Sequence, residues 1–167
     1  CASVLGAIDD PVDWIAVPTP GCLWLDIPGI PANVTIRKYL PPEQMPALYK
    51  SYKAMLIIAE GKLGRGLPLS VLEAQAAGVT VIAPSLRPDF DDFVTRGGGF
   101  IFTSESEIPQ LLAQAQQPER RAMGFRHAAR HGAESFRQEL ATVGLEFAPP
   151  AIASEDLSLQ QRLMANA

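Results

Sequence analysis

The chain is poor in cysteine: Cys1 and Cys22 are the two among 167 residues. Two thiols cannot build a disulfide framework, so the expected setting is a reducing cytoplasm. Basic residues show no excess. There are 14 Lys and Arg against 18 Asp and Glu, a net charge of −4, which argues against a nucleic-acid binder. No apolar run approaches the roughly 18 residues that suggest a membrane span. The start, CASVLGAIDD, lacks the basic leader of a signal peptide. Together these absences predict a cytoplasmic protein, peripheral to the inner membrane at most. No G-x-G-x-x-G follows the first apolar run, which weighs against a dinucleotide enzyme. Internal repeats and low-complexity runs are missing too. The first residue is Cys rather than Met, and the expectation is a piece cut from a longer protein.

What is present fits a globular domain. Apolar residues make up 47% and charged ones 19%, and the length suits one domain with a real core. The 15 prolines and 13 glycines fall mostly between apolar runs. The most informative stretch is Ala59 to Gly78, AEGKLGRGLPLSVLEAQAAG. Before it, Ala54 to Ala59 has the length of a buried strand. A loop with Gly61, Gly64 and Gly66 follows, then Pro68, suited to a first helical turn because it has no N–H to leave unpaired. Leu69, Leu72, Ala76 and Ala77 recur at helical spacing, and Gly78 ends the helix. A second apolar run, Val79 to Ala83, starts at once. Strand, glycine loop, helix and strand make one parallel crossover unit, with the loop where open α/β sheets bind ligands.

The chemistry of that loop favours an anion. Glycines let backbone approach a ligand closely, and unpaired amides at a helix start attract negative charge. Lys62 and Arg65 could add full charges, and a carboxylate at Glu73 could hold sugar hydroxyls. By spacing alone, a solvated Glu73 and a plain glycine turn serve equally well.

The segment GRGLPLSVLEAQAAGVTVIAP resembles the donor-binding signature of GT-B glycosyltransferases, particularly the large retaining family four. Those enzymes often read E-G-L-P-L-S-L-L-E-A-M-A-A-G-x-P-V-V-A. Gly66, Leu67, Pro68, Leu69, Ser70, Leu72, Glu73, Ala74, Ala76, Ala77 and Gly78 match by position. In the family, one glutamate before the motif contacts the hexose and a second contacts the ribose. Glu73 matches the second; Arg65 replaces the first. A subgroup reads P-L-R-F-G-x-G-x-x-x-K-V-L-E-A. Lys62, Gly64, Gly66, Val71, Leu72 and Glu73 match that version, with Glu60 for its proline and Ser70 for its lysine. The resemblance implies donor contacts from Lys62, Gly64, Arg65, Gly66, Leu67, Pro68, Leu69, Ser70 and Glu73. It implies a nucleotide-sugar substrate, no cofactor, and no metal. The acceptor and the catalytic base would come from an amino-terminal domain of the same parent protein. Catalytic residues are therefore not assigned within this chain, which alone is expected to bind a nucleotide without turnover.

Elsewhere, Ala2 to Ile8 reads as a first strand ended by Asp9-Asp10-Pro11, and Trp14–Val17 and Cys22–Leu25 as two further apolar runs. Neither the long helix nor the Arg and Lys pair that the family places near its first strand has a match. Asn33 to Tyr39 reads as a strand whose Arg37 and Lys38 are solvated. A helix opens at Pro41-Pro42-Glu43 and runs through Met45, Leu48 and Tyr49. In Ser85 to Phe102, Asp91–Val94 suits a helix, Gly97–Gly99 a turn and Phe100–Phe102 a strand. Arg87, Asp89 and Asp92 could touch a ligand there, or the loop is plain surface with Phe90 and Phe93 packed. Ser104 or Ser106 caps a helix through Ile108 and Leu112. Another helix starts at Glu119, with a break at Gly132. His127 and His131, four apart on it, read as solvated surface histidines rather than metal ligands. Residues 148–167 read as a linker and a tail helix.

The expected fold is α/β, a Rossmann-like parallel sheet with helices on both faces, equivalent to one half of a GT-B enzyme. It would occupy residues 1–147, with 1–30 atypical. Two readings compete with donor binding: a non-catalytic scaffold module with a decayed donor site, and a different Rossmann-like enzyme using a dinucleotide.

Overall fold

A computed structural model of the chain describes residues 2–16, 29–38, 40–58 and 68–142. In chain order the helices and strands are α1 (Ala2–Gly6), β1 (Val12–Ala16), β2 (Val34–Lys38), α2 (Met45–Lys50), β3 (Ala54–Leu56), α3 (Leu69–Ala76), β4 (Thr80–Pro84), α4 (Pro88–Arg96), β5 (Phe100–Phe102), α5 (Ile108–Gln114), α6 (Pro118–Arg130) and α7 (Ala133–Thr142). A 3-10 turn at Glu105–Glu107 leads into α5. The chain divides into two units, residues 1–131 and 132–167. In the second, α7 carries the pairs Glu134–Arg137 and Glu134–Gln138 one turn apart.

Among the described residues every strand pair is parallel. β1 pairs β2 from Val12 opposite Val34 to Ala16 opposite Lys38. A second sheet runs β3-β4-β5, with Ala54 opposite Thr80 and Ile82 opposite Phe100. Side chains alternate across a strand, and the packing follows that period. Met55, Ile57, Val81, Ala83 and Ile101 face one core with Tyr49, Val71, Ala74, Phe90 and Phe93 from α2, α3 and α4. Ala54, Leu56, Ile82, Phe100 and Phe102 face the other, with Val4 and Leu5 of α1 and Ile108 of α5. Apolar side chains on both faces of one strand are what a parallel sheet covered twice requires. Val12, Trp14 and Val34 join the second core, so both sheets share that apolar side. At their starts, Tyr52 donates to Asp13 at 2.7 Å and Lys53 pairs with Asp10 at 2.6 Å. The arrangement is the expected Rossmann-like one, with helices on both faces of parallel strands.

Three expectations need correction or placing. Ala2–Ile8 is not a strand: α1 occupies Ala2–Gly6. Its buried residues Val4, Leu5 and Ile8 follow a helical spacing, which a short apolar run does not separate from a strand pattern. Asn33, before β2, holds the end of this helix by donating its amide to the carbonyls of Leu5 (2.9 Å) and Ile8 (2.8 Å). The first strand is instead Val12–Ala16, around Trp14. The Cys22–Leu25 run, the glycine segment 59–67 and the tail helix lie outside the described residues.

Helix α3 also turns a different stripe inward. Val71, Ala74 and Gln75 are its buried residues, while Leu69 is 74% exposed. Of the expected stripe, Leu72 and Ala77 do pack in the core, while Leu69 and Ala76 are exposed and the polar Gln75 is taken inside in their place. Its end is as read. Gly78 has φ +73°, with Gly78 N–H donating to Gln75 O and Val79 N–H to Ala74 O. That is the paired-bond helix ending that favours glycine. Helix α4 ends the same way at Gly98 (φ +77°), with Gly98 N–H on Thr95 O and Gly99 N–H on Val94 O. The three-glycine run thus closes α4 and opens β5.

Candidate functional site

Because the strands are parallel, the connections leaving β3, β4 and β5 emerge at one edge of the sheet. Ser85–Arg87 leads there into α4 and Thr103–Glu107 into α5, and the end of β3 faces the same way. Helix α6 packs where α3 and α4 finish, so it sits toward the opposite edge. Its Arg120 donates to Gly98 O at 3.0 Å, and its guanidinium lies 3.7 Å over the Phe100 ring.

At the start of α3, Pro68 is the cap residue, with extended backbone (φ −63°, ψ 122°) and no side-chain oxygen to offer the first amides. Pro68 therefore stands one position outside the first helical turn in which it was expected. Its carbonyl accepts Val71 N–H at 3.0 Å. The next amides belong to Leu69 and Ser70, the positions where a helix most readily receives an anion. Leu69 and Glu73 are one turn apart, on one helix face, and both are exposed. Glu73 is anchored from outside α3: the buried Tyr49 of α2 donates its hydroxyl to Glu73 Oε2 at 3.2 Å. The site edge therefore presents an acid held by a core residue, beside an exposed leucine.

The two neighbouring connections are tied internally. Asp91 accepts Ser85 Oγ at 2.6 Å and Leu86 N–H at 3.1 Å, which folds the loop back onto α4. Arg87 Nε reaches both oxygens of Asp89 at 2.8 and 3.0 Å, and Arg96 pairs with Asp92. Past β5, Glu107 accepts Ser104 N–H at 2.7 Å, Thr103 N–H at 3.1 Å and the Thr103 hydroxyl at 3.0 Å. Those donors, the Ser104 amide first, hold its carboxyl below the usual range.

A family model described as glycosyl transferase-like matches residues 5–141. The chain belongs to that family. Among curated proteins and among solved structures, none matches it. Membership makes this a glycosyl transfer domain, carried by the Rossmann-like layers just described.

Of the residues expected to meet the donor in this glycosyl transferase-like chain, Pro68, Leu69, Ser70 and Glu73 share the first turns of α3. Lys62, Gly64, Arg65, Gly66 and Leu67 lie outside the described residues. Arg87, Asp89 and Asp92 are engaged in ion pairs on α4 and its approach. Arg37 is exposed as expected, but its Nε pairs with Asp13 Oδ2 at 2.6 Å. This contact, with the Tyr52 hydroxyl, lowers the Asp13 carboxyl against a smaller opposing effect of burial. Burial first, and then the same carboxylate, push the Tyr52 phenol up to about 12.

His127 is not a solvated surface residue. It is 7% exposed, its Nδ1 lies 2.9 Å from Gln75 Oε1, and its ring meets Phe93 edge-on at 4.6 Å. The reason is α6's close approach to α3, made possible by Gly124 beside the Gln75 backbone. Burial lowers the His127 pKa, as do His131, Arg130 and Arg96, with Asp92 opposing. His131 remains exposed, with Nε2 at 3.4 Å from His127 Nε2. Among the described residues, no three His, Cys, Asp or Glu gather as metal ligands, and no helix is long and apolar enough to cross a membrane.

Tyr49 is the site residue that sequence reasoning missed. Its helix was legible, but a bond spanning 24 residues has no local signature. The one available signal was a hydroxyl-bearing residue four positions after Met45, on the buried stripe of α2.

Proposed function

We propose that this chain is the donor-binding, carboxyl-terminal half of a GT-B glycosyltransferase of the family-four type. It binds a nucleoside diphosphate sugar and presents the sugar to an acceptor held by an amino-terminal domain. The diphosphate meets the amides from Gly64 to Ser70, with Lys62 or Arg65 adding positive charge. Leu69 offers an apolar contact, and Glu73 accepts hydrogen bonds from the ribose hydroxyls. In transfer, the bond from the anomeric carbon to the terminal phosphate oxygen breaks as a bond to the acceptor oxygen forms. The acceptor proton passes to a base in the partner domain. Charge that builds on the departing diphosphate is what helix amides stabilise.

One observation carries this reading. The exposed Glu73 stands on the helix that follows the glycine segment, at the position that the resemblance to family-four enzymes assigns to the ribose, and a buried tyrosine donates to its carboxylate. The test is calorimetric titration of the chain with UDP, GDP and ADP. One of them binds, and Glu73→Ala weakens it by about tenfold or more, the loss of charge-assisted hydrogen bonds. No response to any of the three at millimolar concentration refutes donor binding. That result would favour a non-catalytic scaffold module, the reading that Arg65 supports by standing where the family has its hexose-binding glutamate. A preference for NAD would favour the dinucleotide enzyme.

A further inference from the structure

We infer that Tyr49 is a positioning residue for Glu73, setting the direction in which that carboxylate meets its ligand; the inference rests on the donor-binding reading above. A glutamate on an exposed helix face swings through three side-chain torsions, and a ligand that needs one orientation must first order it. Here the ordering is built in. Met45 and Tyr49 are one turn apart on the buried stripe of α2, so the phenol ring is clamped by the core beneath it. Its exposure is 7%, and its hydroxyl emerges 3.2 Å from Glu73 Oε2. At 3.2 Å the contact is longer than the usual hydroxyl–carboxylate bond, so it biases the direction of the carboxylate rather than holding it tightly. The bond engages Oε2 and thereby turns Oε1 in a set direction, so the acid meets a vicinal diol already oriented. Because α2 and α3 belong to one core, the hydroxyl also fixes Glu73 relative to the whole layer rather than to its own helix alone.

The experiment uses the full chain and whichever of UDP, GDP and ADP binds it. Tyr49→Phe keeps the ring and removes the hydroxyl. It weakens nucleotide binding by about three- to tenfold, the cost of ordering one side chain on binding. Glu73→Gln weakens it further, and Tyr49→Phe added to Glu73→Gln produces no additional loss. Inorganic pyrophosphate, which has no ribose, binds the wild type and Tyr49→Phe alike. A merely structural tyrosine would lower the melting temperature but leave the affinity of the folded protein unchanged. Wild-type affinity in Tyr49→Phe, with binding still weakened in Glu73→Gln, overturns the inference while sparing donor binding. Absence of binding by all three nucleotides overturns both. Should Tyr49→Phe not fold, side-chain couplings of Glu73 in the free wild-type protein decide. One rotamer supports the inference, and free averaging overturns it.

Discussion

Gly97→Ala tests the tightest approach among the described glycines. Gly97 has φ −79° and ψ 13°, a conformation open to any residue, so alanine brings no backbone strain there. The obstacle is space. A Cβ on Gly97 would overlap Nε2 and Cδ of the Gln75 side chain and stand 2.7 Å from its Oε1. Gln75 is fully buried and cannot swing into solvent. Its Oε1 faces His127 Nδ1 at 2.9 Å, and its Nε2 lies 3.5 Å from Phe93 O, too long to contribute much. Displacing the amide orphans the His127 ring nitrogen, at a cost of about 1–3 kcal/mol. Spreading α3 and α4 instead costs about 1–3 kcal/mol as overpacking. Gly97→Ala is therefore expected to destabilise the fold by about 2–3 kcal/mol, read as a lower urea midpoint at unchanged slope. A double-mutant cycle isolates the cause. Gln75→Ala is costly by itself, but it removes the atoms that Cβ would strike. Gly97→Ala then adds only a few tenths of a kcal/mol, a coupling of about 2 kcal/mol between the two sites. Additive losses, or a Gly97→Ala cost below about 0.5 kcal/mol, would refute this account of the α3–α4–α6 contact.

Two further outcomes follow from the same packing. His127 titrates below its ordinary value in the folded chain, so the unfolded chain takes up the proton first. Stability is full above about pH 6.5 and falls as the pH drops from there through the folded-state value. Urea unfolding between pH 8 and 5 should show that slope, shallower in His127→Gln; equal slopes in both would contradict it. Thr80 is 2% exposed and donates its hydroxyl to Ala115 O at 2.6 Å, tying β4 to the end of α5. Thr80→Val keeps the shape and orphans that carbonyl, for a loss of about 1–2 kcal/mol in ΔG of unfolding. An unchanged ΔG would show that another donor reaches Ala115.

The sequence was most legible where local chemistry decides. Gly78 and Gly98 end helices because a left-handed turn suits glycine, and the pattern around each could be read without a partner. The alternation of apolar runs with helical stretches marked the crossover units, and the glycine-to-glutamate segment carried the family likeness. Reading failed where two distant segments meet. Seven residues at the start suit a strand or a helix until Asn33 donates to the carbonyls of Leu5 and Ile8 at the end of α1. A glutamine at position 75 looks like an outward helix residue until His127 arrives from 52 residues away to satisfy it.

From residues alone came the layered α/β class, the helix endings, and the expectation of a ligand at the carboxyl edge of the strands. These depend on interactions within a few positions, on side-chain period, and on backbone freedom at glycine. Only the folded chain decided which polar groups go inside and which acid is held in place. Burying Gln75 and His127 together, or aiming Tyr49 at Glu73, balances desolvation against a hydrogen bond whose partner lies on another element. That balance exists only once α2, α3 and α6 have packed, so no local pattern could contain it.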